Sequence, residues 1–186
     1  MTYKPIDITA VGILMLEHRQ IERVIEVMKT ELEITNKEAR AKPEFIDIAI
    51  DFIRTYADKS HHGKEEQIFF RDLYKKNIAK KHKDYIDLLV AEHKQGRETV
   101  GQLEATKEKY LKGDSGALNE IKECMKWLID FYPQHIEKED KHFFALYREY
   151  LNEEEQDKML AECLEFDSTG IREKYKDIIA RLKKVK

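Results

Sequence analysis

The chain has little with which to break a helix. Its 186 residues include only seven glycines and three prolines. Alternating Val/Thr runs of the kind that make half-buried strands are absent, which argues against a β or mixed fold. Two cysteines, Cys124 and Cys163, fall far apart in separate helical stretches. They cannot form a disulfide framework, and free thiols fit a reducing cytoplasm. Apolar runs are only a few residues long, too short to cross a membrane. The first residues, MTYKPIDITAVG, lack the basic-then-apolar layout of a secretory leader. Net charge is −3, and both signs are interspersed. With no basic stripe, nucleic acid is not an expected partner.

What remains is helix-period patterning almost from end to end. A first helix is predicted over about 7–40, starting near Asp7 or Thr9, with Ile8, Val11, Met15, Ile21, Ile25, Met28 and Leu32 along one stripe. Pro43 suits the first turn of a second helix, over 43–75. Gly63 weakens that helix locally, and Asn77 suits the turn that ends it. A third helix spans 79–112, and Gly113-Asp114-Ser115-Gly116 is the clearest loop in the chain. A fourth spans 116–150, with a kink predicted at Pro133. Asn152 with Glu153–Glu155 opens a short fifth helix. Asp167-Ser168 caps a sixth, which ends in the basic tail RLKKVK. Four long helices with short connections predict an all-α protein: an antiparallel up-down-up-down four-helix bundle with two short extra C-terminal helices. Residues 1–150 form the bundle. Residues 151–186 form an appendage for packing on the bundle, on a partner or on a second copy.

Two stretches read alike: HHGKEEQIFF from His61 to Phe70, and HIEKEDKHFF from His135 to Phe144. Upstream of each lies a Glu-His-x-Gln, at Glu17-His18-Arg19-Gln20 and Glu92-His93-Lys94-Gln95. His18 and His61 are 43 positions apart, and His93 and His135 are 42. The chain therefore reads as two helical hairpins of one design. At about 1.5 Å rise per residue, each helix climbs as far as the next descends. All four histidines fall in one layer of the bundle, on stripes shared with apolar residues. Glu65 and Glu139, one turn beyond His61 and His135, point the same way.

Six buried polar groups in one layer would be costly if unpaired. A metal cluster removes that cost, and imidazole with carboxylate suits iron, manganese or zinc. Six ligands exceed the four of a tetrahedral zinc site. His18, His61, Glu65, His93, His135 and Glu139 are therefore read as ligands of a dinuclear site, three from each hairpin. His62 and Glu66 repeat the His61–Glu65 spacing and are the alternative ligands, or hydrogen-bonding neighbours of the ligands. The Phe-Phe register and the stripe through Ile53, Ala57 and Ile68 favour His61 and Glu65 and set His62 at the bundle flank. Glu22, four after His18, and His142, seven after His135, are read as hydrogen-bonding neighbours or surface ion pairs. Asp140 is read as exposed. No residue is singled out as catalytic.

The order His18, His61-x-x-x-Glu65, His93, His135-x-x-x-Glu139 resembles the hemerythrin-like (HHE cation-binding) family over about residues 7–150. The resemblance implies two iron ions bridged by two carboxylates and an oxo or hydroxo group, with Mn or Zn as substitutes. It implies a small diatomic or peroxide ligand: O2, NO or peroxide bound for sensing, scavenging or storage. It also admits a di-iron enzyme (peroxidase- or NO-reductase-like, or repairing iron–sulfur clusters) or an iron-sensing regulator. The oxygen-carrying hemerythrins place a further His four residues after the third His; here that position is Arg97. They bridge with Asp five residues after the last His; here Glu139 stands at four. By this reading one iron is a ligand short. A ferritin-like Glu-x-x-His pattern fits once, at Glu139 and His142, but Ile68 stands at the equivalent position of the other half.

Overall fold

The computed structural model describes residues 9–167 and 170–185. Among them there are helices and short turns, and no strand. The first long helix, α1 (Ala10–Glu38), starts where Thr9 Oγ1 accepts from Gly12 N–H at 3.0 Å. That oxygen satisfies one of the donors a helix start leaves unpaired. Asp7 and Ile8 lie outside the described residues. The second long helix starts with Pro43 in its first turn, as α2 (Pro43–Phe52). It continues through two π-helical stretches, Ile53–His62 and Glu65–Phe70, and ends in α3 (Arg71–Tyr74). After a turn containing Asn77, α4 (Lys80–Leu111) forms the third long helix. Gly113, at φ 85, turns the chain, and Gly116 N–H donates to Asp114 Oδ1 at 2.8 Å. The fourth consists of α5 (Ala117–Lys138), a π-helical stretch Glu139–Phe143 and α6 (Phe144–Tyr150). Helix continues on both sides of Pro133.

These four form the up-down-up-down bundle, with α5 packed against both α1 and α4. Beyond it, α7 (Glu153–Phe166) starts at a capping box in which Asn152 and Glu155 exchange side-chain and backbone hydrogen bonds. The predicted sixth helix is two: α8 (Ile171–Tyr175) and α9 (Ile178–Lys184). Asp167 does not cap them. It ends α7, and its carboxylate is turned inward to cations; Ser168 lies outside the described residues. The C-terminal helices lie on the first hairpin: α7 on α1 and Glu65–Phe70, α8 on Ile53–His62, α9 on α1 and α2.

The apolar core is in two parts. One holds Ile21, Val24, Phe45, Ile53, Val100, Leu103 and Leu128; the other holds Val11, Leu14, Phe69, Ile86, Leu89 and Phe143. On the first three long helices the break between them falls where the histidines stand, and on the fourth it falls at Glu139, one turn past His135. Met15, on the predicted stripe, is exposed, and its neighbour Leu14 is buried instead.

Candidate metal centre

Between the two apolar halves lies a layer of polar side chains from all four long helices. His18, His61, Glu65, His93, His135 and Glu139 are all buried in it, as their heights and facings predict. His62 is there too. The sequence pattern sets it at the flank, yet it is 3% exposed. Its ring stacks on that of His93 at 3.9 Å and meets His135 edge-on at 5.6 Å. In an α-helix adjacent residues point about 100° apart. The π-helical stretch Ile53–His62 has wider turns, and it turns both His61 and His62 inward.

The imidazoles fall into two groups. His18 and His61 lie together with Glu65 and Glu139, and His62, His93 and His135 lie together beside them. Each carboxylate faces both. Glu65 Oε1 is 3.6 Å from His61 Nε2, while its Oε2 is 3.5 Å from His93 Nε2. Glu139 Oε2 is 3.2 Å from His18 Nε2, while its Oε1 is 3.1 Å from His135 Nε2 and 3.5 Å from His93 Nε2. Both oxygens of Glu65 and of Glu139, with Nε2 of His18, His93 and His135, have no hydrogen-bond partner among the described residues. Buried polar atoms left unpaired in this way are expensive. Ligands about 2.1 Å from a shared ion stand about 3 Å apart at right angles, close to the separations found. The residues present therefore fit a pair of metal ions: one position with two histidines, one with three, and both carboxylates spanning them.

The outer nitrogens of the rings are held as metal-bound imidazoles usually are, by carboxylates. His18 Nδ1 donates to Asp140 at 2.8 Å and His61 Nδ1 to Glu17 at 3.0 Å. His93 Nδ1 donates to Glu66, and His135 Nδ1 to Glu92, both at 2.8 Å. Asp58 lies 3.4 Å from His62 Nδ1, without hydrogen-bond geometry. These partners keep the internal repeat: Glu17 matches Glu92, and Glu66 matches Asp140. Asp140 is thus a working part of the layer, not an exposed residue. Glu17 and Glu92 escape the spacing argument, although the repeated Glu-His pair was the signal that could have found them. Arg97 stands outside the layer and donates to Asp58 and to Glu66, each at 2.7 Å. His62, from another helix, stands with His93 and His135 in the three-histidine group, which position 97 does not join. Glu22 pairs with Arg19 at 3.0 Å, and His142 is exposed beside Tyr85; neither joins the centre.

Burial and the neighbouring Glu139 push Glu65 well above the usual carboxylate range. Burial alone would raise Glu139 too, but the His135, His18 and His93 rings hold it well below. Burial opposes protonation of His135, yet Glu139 and Glu92 raise it to about 9. His62 is pushed well below its ordinary value by burial and the rings of His93, His61 and His135. A cavity of about 290 Å³ reaches the layer beside His62 and His93, with Gly96, Val100, Tyr132 and Arg97 among its lining.

The comparisons with known proteins agree with this geometry. The family model for the Hemerythrin HHE cation binding domain matches residues 9–147 and again 84–186. The chain belongs to the hemerythrin HHE family. The two matches overlap, and the second begins in the third long helix of this hemerythrin-like bundle, consistent with two halves of one design. Neither the comparison with curated proteins nor that with solved structures gives a match. No helix among the described residues is long and apolar enough to cross a membrane.

Proposed function

We propose that this HHE protein holds two iron ions and binds a small ligand, O2, NO or peroxide, at the position with two histidines. One observation carries the reading: Glu65 and Glu139 each turn one oxygen to the two-histidine group and the other to the three-histidine group. With both carboxylates shared, the three-histidine position has five protein ligands and the other has four. The vacancy for an exogenous ligand therefore belongs to His18 and His61. Such a centre supplies two electrons and a Lewis-acidic site. The chain's own residues supply the rest: the carboxylates behind the rings fix their orientation, and the apolar halves on either side exclude water.

The test is metal analysis together with the optical spectrum of the oxidised protein, followed by anaerobic mixing of the reduced protein with NO or peroxide. Two irons per chain and one stable adduct are expected. One iron or none per chain overturns the dinuclear reading. Repeated consumption of NO or peroxide would instead support the enzymatic reading.

A further inference from the structure

The internal repeat makes one asymmetry visible. Lys64 and Lys138 are equivalent, three residues after His61 and His135, and each reaches the carboxylate that orients its histidine. Lys138 pairs with Glu92 at the surface, with a side chain 36% exposed. Lys64 donates to Glu17 at 2.7 Å and to Ser60 at 3.3 Å, and its side chain is 0% exposed. The difference is the segment after residue 150. Asp167 pairs with Lys64. Arg172 donates to Glu17 Oε1 at 2.9 Å and stands 2.9 Å from Asp167 Oδ2. Two cations from different elements thus fix Glu17 Oε1, which leaves Oε2 aimed at His61 Nδ1. Glu92 has Lys138 alone. Gly63 belongs to the same contact: a Cβ there would stand 3.0 Å from Phe166 Cζ. Glycine is a poor helix former, and at position 63 its lack of a side chain lets Phe166 close over the helix that carries His61, His62 and Glu65.

We propose that Asp167 and Arg172 are positioning residues for the two-histidine metal position: the C-terminal segment fixes Glu17, and Glu17 fixes His61. The inference rests on the dinuclear reading above. Of the two positions, this one alone depends, among the described residues, on residues beyond the bundle. The three-histidine position is oriented by Glu92 and Glu66, which the C-terminal segment does not touch.

Anaerobic Fe(II) titration of the full chain, followed calorimetrically, tests this. Wild type is expected to take two ions in separable steps. Arg172→Gln and Asp167→Asn should each weaken one step about 10–100-fold, the usual effect of losing an outer-shell partner, and leave the other within about twofold. Arg172→Lys should restore part of the loss, and Lys138→Gln should spare the step that Arg172→Gln weakens. Thermal unfolding of the metal-free variants separates a purely structural role, which would lower their melting temperature and leave both steps unchanged. That result, or equal weakening of both steps, overturns the inference while the dinuclear reading stands. Failure of wild type to bind two ions overturns both.

Discussion

His62 shows what a single residue contributes to a layer like this. A buried imidazole with no hydrogen-bonded partner at Nδ1 is a net cost to the fold. Pushed below its ordinary pKa, it stays neutral and keeps a lone pair to offer a metal. His62→Ala should therefore weaken the three-histidine position by at least about tenfold in a metal titration, whereas His142→Ala should leave both positions unchanged. His135 carries the opposite charge preference and makes a pH prediction. Its pKa is raised to about 9, and that of His18 is raised too, burial being outweighed by Glu139 with Glu92 or Asp140. In the metal-free protein His135 contributes stability that is fully present below about pH 6.5 and is lost as pH rises through about 9, and His18 acts in the same direction. Metal and protons compete for the same nitrogens, so raising the pH over that window strengthens metal binding. Thermal unfolding between pH 6.5 and 9 should show the metal-free protein losing stability and the loaded protein gaining on it.

At the scale of the element, the third long helix carries a cost with a visible purpose. Gly96 lies in the interior of α4, where glycine costs about 1 kcal/mol relative to alanine. A Cβ at that position would meet Phe131 at 3.6 Å, an ordinary contact, and the residue lines the cavity beside His62 and His93. Gly96→Ala should therefore stabilise the protein by up to about 1 kcal/mol in denaturant unfolding. Gly96→Leu should fill the cavity and slow the uptake of NO or peroxide without changing metal content. Unchanged uptake kinetics would rule the cavity out as the access route. The helices themselves were legible in the sequence, because Pro43, the Gly113–Gly116 loop and Asn152 punctuate a period that the core obeys. So was the height of the layer, which follows from rise per residue alone. The spacing marked His62 as an alternative ligand but not its inward facing, since an α-period sends it away from His61 and only the π-helical stretch brings it back. The π-helical stretches Glu65–Phe70 and Glu139–Phe143 begin at equivalent points of the repeat, so this departure is itself part of the duplicated design. The pairing of Glu17 with His61 and Asp140 with His18 crosses between helices. No local pattern specifies such a pairing, although the repeated Glu-His marked where to look.

For the whole molecule, the layer is both a fault line and the place where the four long helices can be tied together. It separates two apolar clusters that would otherwise be one core. In its metal-free form it holds four carboxylate oxygens and four ring nitrogens without hydrogen-bond partners among the described residues. An ion that binds the folded state and not the unfolded chain adds about 4 kcal/mol at a free concentration a thousand times its Kd. For a chain of this length each kcal/mol raises the melting temperature by about 2–4 °C, so each ion bound should raise it by about 8–16 °C and chelation should reverse the gain. The size of that rise after substitution distinguishes two shared carboxylates from two independent sites. If Glu65 and Glu139 each serve both ions, Glu139→Gln alone should remove most of the metal-dependent rise, because both positions lose a ligand together. If each ion had its own carboxylate, the same substitution would leave about half. Calorimetric melting of wild type, Glu65→Gln and Glu139→Gln, each with and without Fe(II) under anaerobic conditions, decides between them. A half-sized rise in both variants would mean that the carboxylates do not bridge.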